Sequence, residues 1–174
     1  MQYLLDITRE YLLSLHISGS RVAMSIYGMI TVHAVLVVLS LGTPSALHVL
    51  GAIVGTIVFV AVADTYSLIV GRHIDKKSPM HAWEFAEVWS ESRHLLYGAS
   101  TIVFFFGLAA LEVVSSDVAF TLSYLSSALV LFFYGVYYAV NVGEAWGRAV
   151  VAGVLNAGIV YGIIMVKAVL EAVL

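Results

Sequence analysis

Apolar residues fill five stretches of this chain almost without interruption: Val22–Leu41, His48–Gly71, Leu95–Val114, Val118–Asn141 and Gly147–Leu170. Each is close to the length of about 20 residues that a helix needs to cross a bilayer. The polar connections Gly42–Leu47 and Ser115–Asp117 are very short, so spans one and two, and spans three and four, are predicted to form antiparallel hairpins. The one substantial loop runs from Arg72 to His94. Within it Ser78-Pro79 marks a helix start, and 80–94 contains no breaker. At 100° per residue Glu84, Glu87, Glu91 and His94 share one narrow face, with Phe85, Val88 and Trp89 opposite. Before the first span, Leu4, Leu5, Ile7, Tyr11, Leu12 and Leu15 recur at near-helical spacing, and Ser18-Gly19-Ser20 breaks the pattern. That predicts a short helix lying in the membrane interface. Asp6, Arg9 and Glu10 interrupt any signal-peptide core there. The expected fold is all-α: one membrane domain over 1–174, a bundle of five transmembrane helices with an N-terminal interfacial helix and one cytoplasmic amphipathic helix.

Composition agrees with the pattern. Of 174 residues, 61% are hydrophobic and 11% charged, against roughly a quarter charged in soluble domains. The absence of cysteine excludes disulfides, thiolate metal sites and thiol chemistry. A net charge of -3 matters less than where the cations fall. Arg9, Arg21, Arg72, Lys76, Lys77, Arg93 and Arg148 all fall on one side of the five-span arrangement, and only Lys167 on the other. The positive-inside rule then places the N-terminus in the cytoplasm and the C-terminus outside.

Candidate chemistry centres on Asp64, one acid in the apolar run that starts near Leu47. A carboxylate at membrane depth calls for a partner, a proton or an ion. Asp64 lies seven residues from the inner end of its span, roughly 10 Å in. Tyr27, Tyr134 and Asn156 come out at similar depth, and His33 about 6 Å deeper. A polar layer of Tyr27, Asp64, Asn156 and His33 is expected, reached from the cytoplasm and able to hold cations or pass protons. The bland alternative keeps Asp64 as a buried structural acid, His33 as a core histidine bonded to a backbone carbonyl, and Tyr27 and Asn156 as packing residues. On the loop helix, Glu84, Glu87, Glu91 and His94 form a carboxylate–imidazole stripe, and Glu91-Ser92-Arg93-His94 is a Glu-x-x-His pair. That spacing supplies half of a dinuclear metal site, which a dimer partner would complete; a solvated helix face is the plainer reading. Gly51 and Gly55 form a Gly-x-x-x-Gly pair pointing away from Asp64, suited to a close helix approach within the subunit or at a dimer seam. No nucleophile triad, phosphate loop or nucleic-acid patch occurs, so neither an enzyme nor a nucleic-acid partner is expected.

Several stretches resemble the vacuolar iron transporters and their bacterial relatives. In that family the second span ends in a pattern like Ala-Asp-Gly-x-Ser-Met-x-x-Gly-Glu-Tyr. Here it reads Ala63-Asp64-Thr65-Tyr66-Ser67-Leu68-Ile69-Val70-Gly71-Arg72-His73. The family's first-span Asn-Asp-Gly is matched by Ile26-Tyr27-Gly28, and the later spans are similar at Tyr134-Gly135, Trp146-Gly147-Arg148-Ala149 and Tyr161-Gly162. Tyr27 stands where the family has aspartate, Leu68 where it has methionine, and Arg72 where it has glutamate. The family's glutamate-rich cytoplasmic domain is reduced to one helix. The resemblance implies a five-span homodimer in a prokaryotic cell membrane that exchanges a divalent metal, iron or manganese, for protons. Its ion path would use Asp64 and Ser67, and no cofactor is required. A scaffold or regulatory subunit of the same fold, binding metal or protein through Glu84–His94, is the rival expectation. Haem ligation by two of the six histidines is a weaker third.

Overall fold

A computed structural model describes residues 19–42, 44–76 and 82–173 of the chain, and every element in this stretch is helical. The helices are α1 (Gly19–Ser40), α2 (Ala46–Lys76), α3 (Ala82–Ser92), α4 (His94–Ala110), α5 (Ser116–Asn141) and α6 (Trp146–Val173). Five stretches are long and apolar enough to cross a membrane: Gly19–Ser40, Ala46–Asp75, Phe85–Ala110, Ser116–Asn141 and Trp146–Leu170. The interfacial helix expected before Ser18 lies outside the described residues. Two compact units make up the chain, one over Gly19–Ser123 and the other containing Tyr124–Leu174.

The helix ends follow from local chemistry. Ser45 caps α2 by accepting the His48 backbone N–H at 3.3 Å, and Ser115 caps α5 by accepting that of Val118 at 3.3 Å. Beyond α4, Glu112 N donates to Ala109 O at 3.0 Å and Val113 N to Leu108 O at 2.9 Å. This is a Schellman ending, and Glu112 occupies its left-handed position at φ 59°. Span three therefore stops short of the predicted Val114. At the end of α5 the corresponding position is Gly143, at φ 84°, where the conformation carries no steric cost.

The loop helix, expected over 80–94, meets span three at Arg93. Arg93 keeps helical dihedrals (φ −59°, ψ −19°). Its N–H reaches Trp89 O at 3.0 Å, and Leu96 N bonds back to Arg93 O at 3.0 Å. One tightened turn thus joins α3 to α4, so the loop helix and span three form a nearly continuous element. Likewise α2, at 31 residues, is about 46 Å long.

In the first unit α1, α2 and α4 pack on one another, with α3 against the C-terminal end of α2. Buried positions on α2 recur every fourth residue (Val49, Ile53, Ile57, Ala61, Thr65); Met29, Val32 and Leu36 of α1 and Leu95, Ala99, Ile102 and Phe106 of α4 are buried as well. α1 and α4 cross through glycines. A Cβ on Gly28 would stand 2.5 Å from the Leu95 carbonyl oxygen, and one on Gly98 would collide with the backbone of Ser25. In the second unit Val136, Ala139 and Val140 of α5 pack with Ala149 of α6, flanked by Phe132, Trp146 and Ala152. Gly135 there lies against Ala152 and Gly153.

Candidate functional site

The half-buried Asp64 sits beside the inward stripe of α2. Its Oδ2 accepts a hydrogen bond of 2.7 Å from the Ser92 hydroxyl. Ser92, the last residue of α3, is fully buried. A hydrogen bond to a charged group is worth about 1.5–3 kcal/mol. Two turns further along α2, Arg72 Nη1 lies 3.2 Å from Glu87 Oε2. As α2 ascends in number its partners on α3 descend, so the two helices are antiparallel and held at two points. The Arg72–Glu87 pair is substantially exposed and adds little energy; it fixes register.

The partner of Asp64 comes from an unexpected place. Ser92 stands between Glu91 and Arg93, in the stretch read from sequence as lying outside the membrane. The acid is therefore level with charged neighbours and not isolated among apolar side chains. The signal that could have found Ser92 is its register: Val88, Ser92, Leu95, Ala99 and Ile102 are all buried at helical spacing. Of the predicted apolar face of the loop helix, Val88 is buried, whereas Phe85 and Trp89 are 51% and 41% exposed.

Tyr27 is 52% exposed, on the open face of α1, and its carbonyl accepts a bond from the Thr31 hydroxyl at 2.9 Å. His33 is buried, with Nδ1 2.8 Å from Met29 O. A carbonyl only accepts, so Nδ1 carries a proton in this bond. Ser67 is exposed, and its hydroxyl donates to Ala63 O at 2.9 Å within α2. Thr65 does the same to Ala61 O at 2.7 Å. Asn156 belongs to the second unit, where its amide faces Gly135: a Cβ there would come within 2.5 Å of Nδ2.

Between α1, α2 and α4, one turn from Asp64, Gly28, Thr31, Val32, Ile57, Val60 and Leu95 enclose a space with no room for a water molecule. A different, open groove of about 280 Å³ lies between α2 and α4, lined by Val54, Ile57, Val58, Leu96, Ser100 and Val103.

Of the expected metal stripe, Glu87 is engaged by Arg72. His94 packs on Tyr97 with ring centroids 5.3 Å apart. The side chains of Glu84 and Glu91 lie outside the described set. Among the described residues no three histidines or carboxylates gather as a metal site would require. Gly51 and Gly55 are exposed, and nothing lies within 4 Å of where their Cβ atoms would be. Among the described residues, no helix makes a close approach to either glycine. No family model, characterised protein or solved structure matches this chain.

Proposed function

We propose that this chain is an integral membrane helical bundle acting as a non-transporting scaffold or regulatory subunit, in which Asp64 is a structural latch. The observation that carries this reading is the 2.7 Å bond from buried Ser92 to Asp64. It gives the acid a protein partner, and the neighbouring space between α1, α2 and α4 is too small for water. In this reading the N-terminus and the α2–α3 corner are cytoplasmic, which the cation distribution supports. There α3, with Glu87 and Trp89 exposed, offers the surface a cytoplasmic partner would meet. The open Gly51–Gly55 face of α2 is the seam through which two copies would associate as a homodimer.

The carrier reading, a proton-coupled iron or manganese transporter of the vacuolar iron transporter type, keeps one observation in its favour: Asp64 is only half-buried. Flux in proteoliposomes separates the two. With an imposed pH gradient, the wild-type protein is expected to admit neither manganous nor ferrous ion above empty vesicles, and Asp64→Asn is expected to lower the melting temperature. Metal uptake by the wild type that Asp64→Asn abolishes would overturn the scaffold reading and restore the carrier.

A further inference from the structure

In the unit Gly19–Ser123 the described tyrosine and tryptophan side chains are Tyr27, Tyr66, Trp89 and Tyr97, and all four are exposed. They gather at one level. Tyr66 is two residues beyond Asp64 on α2 and Trp89 three before Ser92 on α3, and the Asp64–Ser92 hydrogen bond joins those two helices. Tyr97 is two residues beyond Leu95, and Tyr27 adjoins Gly28, which lies against Leu95. The four therefore fall within about 12 Å along the helix axes, with Asp64 and Ser92 among them. Exposed phenylalanines show no such gathering: Phe85 lies on one side of that level, and Phe59 and Phe104 at different distances on the other. A ring with a polar tip favours the boundary between acyl chains and headgroups, and a purely apolar ring has no need of it.

Length and charge mark the same level. Eighteen residues separate Ala46, at the start of α2, from Asp64, and eighteen separate Ser92 from Ala110, at the end of α4. Each stretch rises about 27 Å, close to the hydrocarbon thickness of about 30 Å. Neither 46–63 nor 95–110 contains Asp, Glu, Lys or Arg. On the other side of the level, Arg72, Asp75 and Glu87 follow within about 17 Å, and the exposed Arg93 stands at it, next to Ser92.

We infer that the headgroup boundary of the bilayer, on the side of the α2–α3 corner, passes through the Asp64–Ser92 contact, with Tyr27, Tyr66, Trp89 and Tyr97 as an aromatic girdle in the headgroup layer and α2 from Val70 onward clear of the hydrocarbon. The exposed half of Asp64 then meets headgroups and water, so its charge needs no bound ion. The span His48–Gly71 expected from hydropathy would instead sink Asp64 about 10 Å into the acyl chains. With Trp89 in the headgroup layer, the turn around Glu87 is the part of α3 left to a soluble partner. The placement holds for a scaffold and for a carrier alike, so its test stands apart from the flux experiment.

The test is a depth profile of the full-length protein in vesicles of phosphatidylcholine and phosphatidylglycerol. The chain has no cysteine, so Phe59→Cys, Val62→Cys, Tyr66→Cys, Val70→Cys and Ile74→Cys, all at exposed positions of α2, each take a single spin label. Labels at 59 and 62 should collide with dissolved oxygen and little with a water-soluble nickel chelate. At 70 and 74 the preference should reverse, with the crossover at 66. A label at 70 that still prefers oxygen, or one at 62 that prefers the chelate, would overturn the proposal. Trp83→Phe/Trp146→Phe leaves Trp89 as the one tryptophan of the chain. Its emission should fall most with lipid brominated just below the headgroup and less with lipid brominated near the chain ends. Strongest quenching by the chain-end bromines, or none by either lipid, would sink the placement. That measurement decides alone should the labelled variants fail to fold.

Discussion

Two glycine pairs in the first unit behave opposite to what their spacing in sequence suggests. Gly51 and Gly55 sit four apart on α2, the spacing associated with close helix packing, and they face open space. Gly28 and Gly98 are seventy residues apart and form no motif, yet they let α1 and α4 touch backbone to backbone. In lipid, helix association depends on such close packing more than on a hydrophobic gain. A glycine's role is therefore set by the surface it meets, and the partner helix holds half of that information.

The sharpest break in this comparison is Gly98→Val. Its new side chain would meet backbone atoms of Ser25, which cannot rotate away, so a loss of about 3 kcal/mol or more is expected. Thermal melting in detergent should show little folded protein, and near-wild-type melting would contradict the crossing. Ser92→Ala comes next. It leaves a half-buried carboxylate without its hydroxyl donor, at a cost of about 1.5–3 kcal/mol. The same variant lowers the melting midpoint without affecting any metal response if Asp64 is a latch; an unchanged midpoint would contradict that role. Glu112→Gly should stabilise by roughly 1–2 kcal/mol, because glycine removes the steric penalty of the left-handed turn. A lower melting temperature would show that the Glu112 side chain earns its place by contacts. Smallest is Gly51→Ala, expected to stabilise the monomer by up to about 1 kcal/mol through helix propensity. If it instead splits a dimer, as size-exclusion chromatography with light scattering would reveal, the open face of α2 is a seam between copies.

The same distinction governs what could be read in advance. The five spans were legible because length and apolarity belong to each segment alone, and α5 and α6 (Ser116–Asn141, Trp146–Val173) fall within a few residues of their expected bounds at the start. Arg93, inside the helix expected over 80–94 and directly before span three, keeps helical dihedrals. Depth along the membrane gave Tyr27, His33, Asp64 and Asn156 a common theme, but depth is one coordinate of three. Tyr27 points outward, and His33 turns to the carbonyl of its own helix. Asp64 finds Ser92, whose buried register was readable while its pairing was not.

By itself, then, the sequence determined that this chain is helical and apolar enough to cross a membrane five times, since those properties follow from backbone satisfaction and transfer energy within each segment. Only the tertiary structure decided which glycines are crossings and which acid is bonded. Those depend on rotation about helix axes and on contacts between residues far apart in the chain, and hydropathy carries no record of either.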